Sequence, residues 1–176
     1  SADLTRPADA GDCSAVVVVS TPAVNDNCGV ISVLNTYNGT PDASGIYPVG
    51  TTIVMWTVTD VYGNTNTCAQ TITITDDEDP QIVCAPAQSQ IADASQCNAD
   101  VEISSPATSD NCGVGALINS YNGTADASDN YPVGTTTIIW TLSDIHGNTS
   151  TCVQAITISD TQVPMSVCAP DQIQSS

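Results

Sequence analysis

The chain has 176 residues, room for one medium domain or two small ones. Arg6 is its one Lys or Arg, His146 its one histidine, and nineteen acidic residues bring the formal charge to −18. Such a surface repels nucleic acid and anionic membranes, which need Lys and Arg to neutralise phosphate, and no stretch approaches the roughly 20 apolar residues of a membrane span.

Eight cysteines in so short a chain point to an oxidising, secreted or cell-surface location and to disulfides. No C-x-x-C occurs, and a lone histidine offers little to zinc. Thr, Ser, Asn, Val and Ile dominate and Phe is absent, a vocabulary of strands and turns rather than of a helical bundle. Ser1 reads as a processed or excised terminus, since no initiator Met or signal peptide precedes it.

Along the chain, Ser1–Asp12 is polar, and from Cys13 onward a pattern begins that recurs. Cys13, Cys28, Cys68 and Cys84 return as Cys97, Cys112, Cys152 and Cys168, each 84 positions on. The same shift carries Asn38-Gly39-Thr40 to Asn122-Gly123-Thr124, Tyr47–Thr52 to Tyr131–Thr136, and Trp56 to Trp140. It also carries Asp60…Gly63-Asn64-Thr65 to Asp144…Gly147-Asn148-Thr149. The chain is a duplication. Between the copies, Asp76-Asp77-Glu78-Asp79 ends in Pro80, which holds the junction extended. This stretch is either a solvated linker or a calcium site in which Asp76, Asp77 and Asp79 supply hard oxygens.

In the second copy, strands are predicted around Ile82–Pro86 and at Asn98–Ser104 across a hairpin. The turn Asp110-Asn111-Cys112-Gly113 leads to a strand near Val114–Ser120, and Asn122-Gly123 turns again. Tyr131-Pro132-Val133-Gly134 enters a long strand with Thr136, Ile138, Trp140 and Leu142 on one face. The hairpin Asp144–Asn148 then leads to a last strand in which Gln154, Ile156 and Ile158 alternate with Val153, Ala155 and Thr157. Asp60 and Asp144 open Asp-x-x-Gly-Asn turns, either as backbone acceptors or as calcium ligands, and His146 is expected to be a solvated turn residue. Trp56 and Trp140 are expected in the core. Asn38, Asn122 and Asn148 fit the glycosylation triplet. The fold class is all-β: two tandem immunoglobulin-like sandwiches, residues 1–79 and 80–162, the first lacking its own first strand, followed by an orphan strand at 163–176.

The ordered set Ile82-Val83-Cys84-Ala85-Pro86, Asp110-Asn111-Cys112-Gly113, Tyr131-Pro132-Val133-Gly134-Thr135-Thr136 and Asp144…Gly147-Asn148 resembles the hyalin repeat family. That resemblance covers essentially the whole chain, twice. It implies an immunoglobulin-like sandwich of extracellular matrix or bacterial surface proteins, tied to adhesion and carrying no catalytic residues.

Four cysteines per repeat allow three pairings. With Cys84 and Cys97 in neighbouring strands of a hairpin, Cys84–Cys97 is favoured. Turns at a common sandwich end favour Cys112–Cys152 and, by the shift, Cys28–Cys68. Cys13 and Cys168 are then left over. Nothing before Cys13 resembles Gln81–Pro86, whereas Met165-Ser166-Val167-Cys168-Ala169-Pro170…Ile173 is a first strand with no domain after it. Two readings follow. In one, the tail (Met165, Val167, Cys168, Ile173) is donated to the first repeat of another copy, with an intersubunit Cys13–Cys168 bond, giving a head-to-tail extracellular filament. In the other, the chain is a window on a longer surface adhesin whose loops grip a cell-surface or matrix glycan or protein. No cofactor beyond calcium at the linker, no membrane insertion and no enzymatic activity are expected, because no convergent acid, base or nucleophile is discernible.

Overall fold

A computed structural model describes residues 2–168, and among them all regular structure is β. The first repeat contributes β1 (Leu4–Pro7), β2 (Ser14–Val17), β3 (Val30–Asn35), β4 (Gly45–Pro48), β5 (Gly50–Asp60) and β6 (Thr65–Thr75). The second contributes β7 (Gln81–Val83), β8 (Gln88–Ile91), β9 (Asn98–Val101), β10 (Ala107–Ser109), β11 (Val114–Asn119), β12 (Asp129–Pro132), β13 (Gly134–Asp144) and β14 (Thr149–Ser159). The strands of the first repeat coincide with β8, β9 and β11–β14 under the shift of 84, so β7 and β10 are the two without equivalents.

Each repeat builds a four-stranded sheet, β1-β6-β5-β3 or β8-β14-β13-β11, and a two-stranded one, β2-β4 or β9-β12. β5 and β6 form a long antiparallel hairpin from Gly50↔Ile74 to Thr59↔Thr65. The edge strand joins in parallel: Leu4 opposes Ile72 as Gln88 opposes Ile156. Alternation sends Val54, Trp56, Ile72 and Ile74 inward from the larger sheet, where they pack with Ala15, Val17 and Tyr47 of the smaller one and with Val19 just beyond β2. That is an immunoglobulin-like sandwich, its two inner faces interdigitating over one core. In the second repeat Ile138, Trp140, Leu142, Ile156 and Ile158 are buried at the predicted alternate positions. Trp56 and Trp140 are fully buried, and their indole N–H groups donate to Gln70 and Gln154 respectively.

The compact units do not follow the repeat boundary. One takes the chain up to Ile82 together with Thr108–Leu117 and Thr141–Ser150; the other holds Val83–Ala107, Ile118–Trp140 and the residues from Thr151 on. The turns Asp110–Gly113 and Asp144–Asn148 thus belong to the unit built on the first repeat.

Turns are fastened by short polar side chains. Asp60 Oδ1 accepts from the backbone N–H of Tyr62 and of Asn64, both at 2.8 Å, while Asn64 Nδ2 donates to Oδ2 at 2.7 Å. The Asn64 side chain above all, helped by these N–H groups, holds the Asp60 carboxyl below its ordinary 3.8. A depressed folded pKa contributes stability that is present above the unfolded value and lost as pH falls through the folded one. Asp60→Ala is therefore expected to lower Tm at pH 7, with the gap to wild type shrinking below about pH 4. A calorimetric series over pH reads this directly; a gap that widens in acid would contradict it.

Candidate assembly site

The parallel edge register decides one cystine. Gln154 Nε2 continues the β14–β8 pairing by donating to the Pro86 carbonyl at 3.2 Å. Two residues earlier on both strands, Cys152 is bonded to Cys84, with Cα atoms 5.7 Å apart. This corrects the expected Cys84–Cys97 and Cys112–Cys152 bonds. β8 lies beside β14 while β9 pairs with β12 in another sheet, so the chain between β8 and β9 crosses from sheet to sheet instead of closing a hairpin.

The second cystine joins Cys13 to Cys112, 99 residues apart in sequence and both within the first compact unit. Beside it Asn111 Nδ2 donates to the Asp12 carbonyl at 3.1 Å. Cys13 is thereby engaged and is not left for Cys168, and the expected Cys28–Cys68 bond is absent as well. Cys28, Cys68, Cys97 and Cys168 are exposed free thiols. Cys28 is held by its turn: Asp26 Oδ1 accepts from the N–H of Cys28 and of Gly29, at 2.8 and 3.0 Å. Gly29 has φ +113°, a conformation that a side chain would strain.

The first repeat also carries a cleft of about 420 Å³, lined by residues 22–26, by 64–68 including Cys68, and by Val30, Val58 and Asp60. Its position has a reason. In the second repeat β7 pairs with β10; in the first, residues 23–25 stand where β10 would be and form no strand. By the 84-residue shift, Met165–Val167 match Gln81–Val83 of β7. Met165 and Val167 are 93% and 92% exposed, and Cys168 is exposed. Ile173, the fourth residue of the expected donor strand, lies outside the described residues.

An acidic cluster occupies the same unit. Asp76, Asp110 and Asp144 each present a carboxylate oxygen, all within 4.8 Å of one another. The Asp76 side chain has no exposed surface, and its Oδ2 lies 2.9 Å from His146 Nδ1. Asp144 Oδ1 accepts three backbone N–H groups, from His146, Gly147 and Asn148. Asp110 Oδ2 accepts two, from Cys112 and Gly113, while its buried Oδ1 has no hydrogen-bond partner. The expected calcium set is corrected accordingly: Asp76 is in the cluster, but Asp77 and Asp79 are exposed and outside it. His146 is exposed in its turn, as expected, and its Nδ1 also neighbours Asp76. Hard oxygens at this spacing suit a divalent cation of the calcium type.

The glycosylation triplets fare unequally. Asn38 and Asn122 are exposed, each donating through Nδ2 to one loop carbonyl, of Asp42 and Asp126. Asn148 Nδ2 donates to both Asp144 Oδ2 and the Asp76 carbonyl, which leaves no N–H for a glycan bond.

Fold and cysteine layout together define a class, tandem immunoglobulin-like β-sandwich repeats cross-linked by cystines. The HYR domain model matches residues 1–74 and 75–158, and the chain belongs to that family. It is 30% identical over 172 residues to Hyalin of Strongylocentrotus purpuratus, covering 94% of this chain and 14% of that protein. Hyalin of Lytechinus variegatus is 30% identical over 168 residues, covering 93% of the chain and 30% of the relative. Among solved structures the chain is similar to Drosophila N-cadherin EC1-4, at 9% identity and a TM-score of 0.40, over 90% of this chain and 47% of that one.

A crossed pair of measurements tests the cation chemistry of the cluster. In chelator, Asp110→Asn is expected to raise Tm, because one of three repelling charges is gone. In millimolar calcium, wild type is expected to gain several degrees and the variant little, since a ligand bound only by the folded state stabilises it. Equal calcium responses in both proteins would exclude these carboxylates as ligands.

Proposed function

We propose that the chain is a non-catalytic extracellular structural subunit that joins copies of itself head to tail, the segment 165–168 of one copy lying in the first-repeat cleft of the next. The cleft carries this reading: among the described residues no strand pairs with residues 23–25, which stand where β10 would be, and the segment 165–167 that matches β7 is exposed. An added strand gains main-chain hydrogen bonds from residues 23–25, covering an edge that would otherwise pair indiscriminately. The contact is heterologous, using different surfaces on the two partners, so it propagates into an open fibre unless the rotation closes a ring. A chain of net charge −18 resists unspecific self-association.

A second reading is favoured by the relatives, of which this chain spans 14% and 30%. In a longer array the same cleft receives the matching segment of a preceding repeat, and exposed loops serve adhesion to a glycan or protein.

Sedimentation velocity under reducing conditions, without covalent links, tests the strand contact. The full chain is expected to form concentration-dependent oligomers, and a chain ending at residue 162 to remain monomeric. A synthetic peptide of residues 163–173 is expected to bind the truncated chain and to cap oligomers of the full one. Val24→Glu, which places a charge in the cleft wall, is expected to abolish both effects. A full chain that stays monomeric and a peptide that does not bind would overturn the proposal.

A further inference from the structure

Two cystines are formed and four thiols are free, and one operation relates the two sets. Moving the Cys13–Cys112 bond forward by one repeat takes Cys13 to Cys97, and takes Cys112 to the position that Cys28 holds in a following copy. Moving the Cys84–Cys152 bond in the same way takes Cys84 to Cys168, and Cys152 to the position of Cys68 in that copy. No thiol is left over and none is used twice.

Resting on the head-to-tail contact proposed above, we infer that the free thiols are a matched covalent junction, in which Cys97 and Cys168 of one copy bond Cys28 and Cys68 of the next. Three observations converge on it. First, Cys68 lines the cleft, and it is the repeat twin of Cys152, whose bonded partner Cys84 is the twin of Cys168. Second, Cys28 sits on an Asp-Asn-Cys-Gly turn built like the one that already holds Cys112 in a cystine: Asp26 bonds the Cys28 and Gly29 N–H groups as Asp110 bonds those of Cys112 and Gly113. Third, Cys97 is fixed as Cys13 is. The Asp93 N–H donates to the Asn98 carbonyl, as that of Asp9 donates to Ser14, and the Cys97 and Cys13 carbonyls accept from the N–H groups of Val133 and Val49. Each free thiol is therefore exposed in a local structure whose twin is already oxidised.

The chemistry balances with a small-molecule disulfide as oxidant. Two thiols and one disulfide RSSR give one cystine and two RSH, so the two bonds of each junction consume two RSSR and release four RSH. A Cys97–Cys168 or Cys28–Cys68 bond within a chain would block one end of the junction, so the proteolytic map separates these pairs from the intersubunit ones; Cys13 is already engaged.

The test uses two blocked variants of the full chain, treated with oxidised glutathione. Cys28→Ser with Cys68→Ser keeps only the donor end; Cys97→Ser with Cys168→Ser keeps only the acceptor end. All four side chains are exposed, and serine at each is sterically mild. Wild type is expected to give a covalent ladder on a non-reducing gel that collapses on reduction to the 18.0 kDa chain. Each variant alone is expected to stay a monomer, and an equimolar mixture to stop at the dimer, whose proteolytic map contains Cys97–Cys28 and Cys168–Cys68 peptides. Cystine peptides joining Cys97 to Cys68, Cys97 to Cys84 or Cys28 to Cys68 would overturn the pairing. If no covalent dimer forms while the reduced wild type still oligomerises in the centrifuge, the covalent junction fails and the strand contact stands. If the reduced chain is monomeric as well, both fall.

Discussion

The parallel pairing of a short edge strand with the last strand of its repeat is the constraint on which the other features depend. It sets residue i beside residue i+68, as the Leu4↔Ile72 and Gln88↔Ile156 pairs show. At that register the buried Gln154 spans from the indole N–H of Trp140 to the Pro86 carbonyl, so that a polar side chain inside the sandwich is satisfied at both ends. Gln70 does the same between Trp56 and the Ala2 carbonyl. Losing one partner of such a bridge costs about 1–3 kcal/mol, which ties edge strand, last strand and central tryptophan into one unit. The same register brings Cys84 to Cys152, a closure of 68 residues worth about 4 kcal/mol on the chain-entropy account. Domains of this size bury modest cores, and a term of that magnitude is a large share of their net stability.

Much of this was legible in the residues. In the second repeat the expected strands correspond to β7, β9, β11, β13 and β14, and the buried faces of the last two follow from alternation alone, whereas the short strands β8, β10 and β12 were not read. The Asp-x-x-Gly-Asn turns behave as their composition implies, with Asp60 and Asp144 each gathering backbone N–H groups. These are local properties, decided within a few residues of where they are read.

The cystines were not legible, for a physical reason. Assuming a hairpin between the strands of Cys84 and Cys97 is reasonable when sequence neighbours are taken as spatial neighbours, as they usually are. Here the chain leaves β8, in one sheet, and enters β9, in the other, so the partner of Cys84 is 68 residues away. The acidic cluster was missed in the same way. Asp76 stands in a run of acids that looks like a site by itself, yet Asp110 and Asp144 come from two turns far along the chain. What could have signalled them is that both are the first acids of turns already recognised as special, Asp110-Asn111-Cys112-Gly113 and Asp144…Gly147-Asn148.

The two bond lengths in sequence have different consequences. A bond across 68 positions is shorter than the repeat, so it can close within one repeat once its edge segment is present. A bond across 99 exceeds the repeat of 84, so every bond of that kind must link a repeat to its successor. Carried along an array, the first staples each sandwich shut at its open edge and the second ties each sandwich to the next. Pulling on such an array would load cystines in parallel with the peptide linker rather than the linker alone. The acidic stretch Asp76–Asp79 then need not be a stiff or tightly packed connection. Order at this repeat boundary is supplied by the turn Asp110–Gly113, held in place by its own carboxylate, and by Cys112, which that turn presents to Cys13.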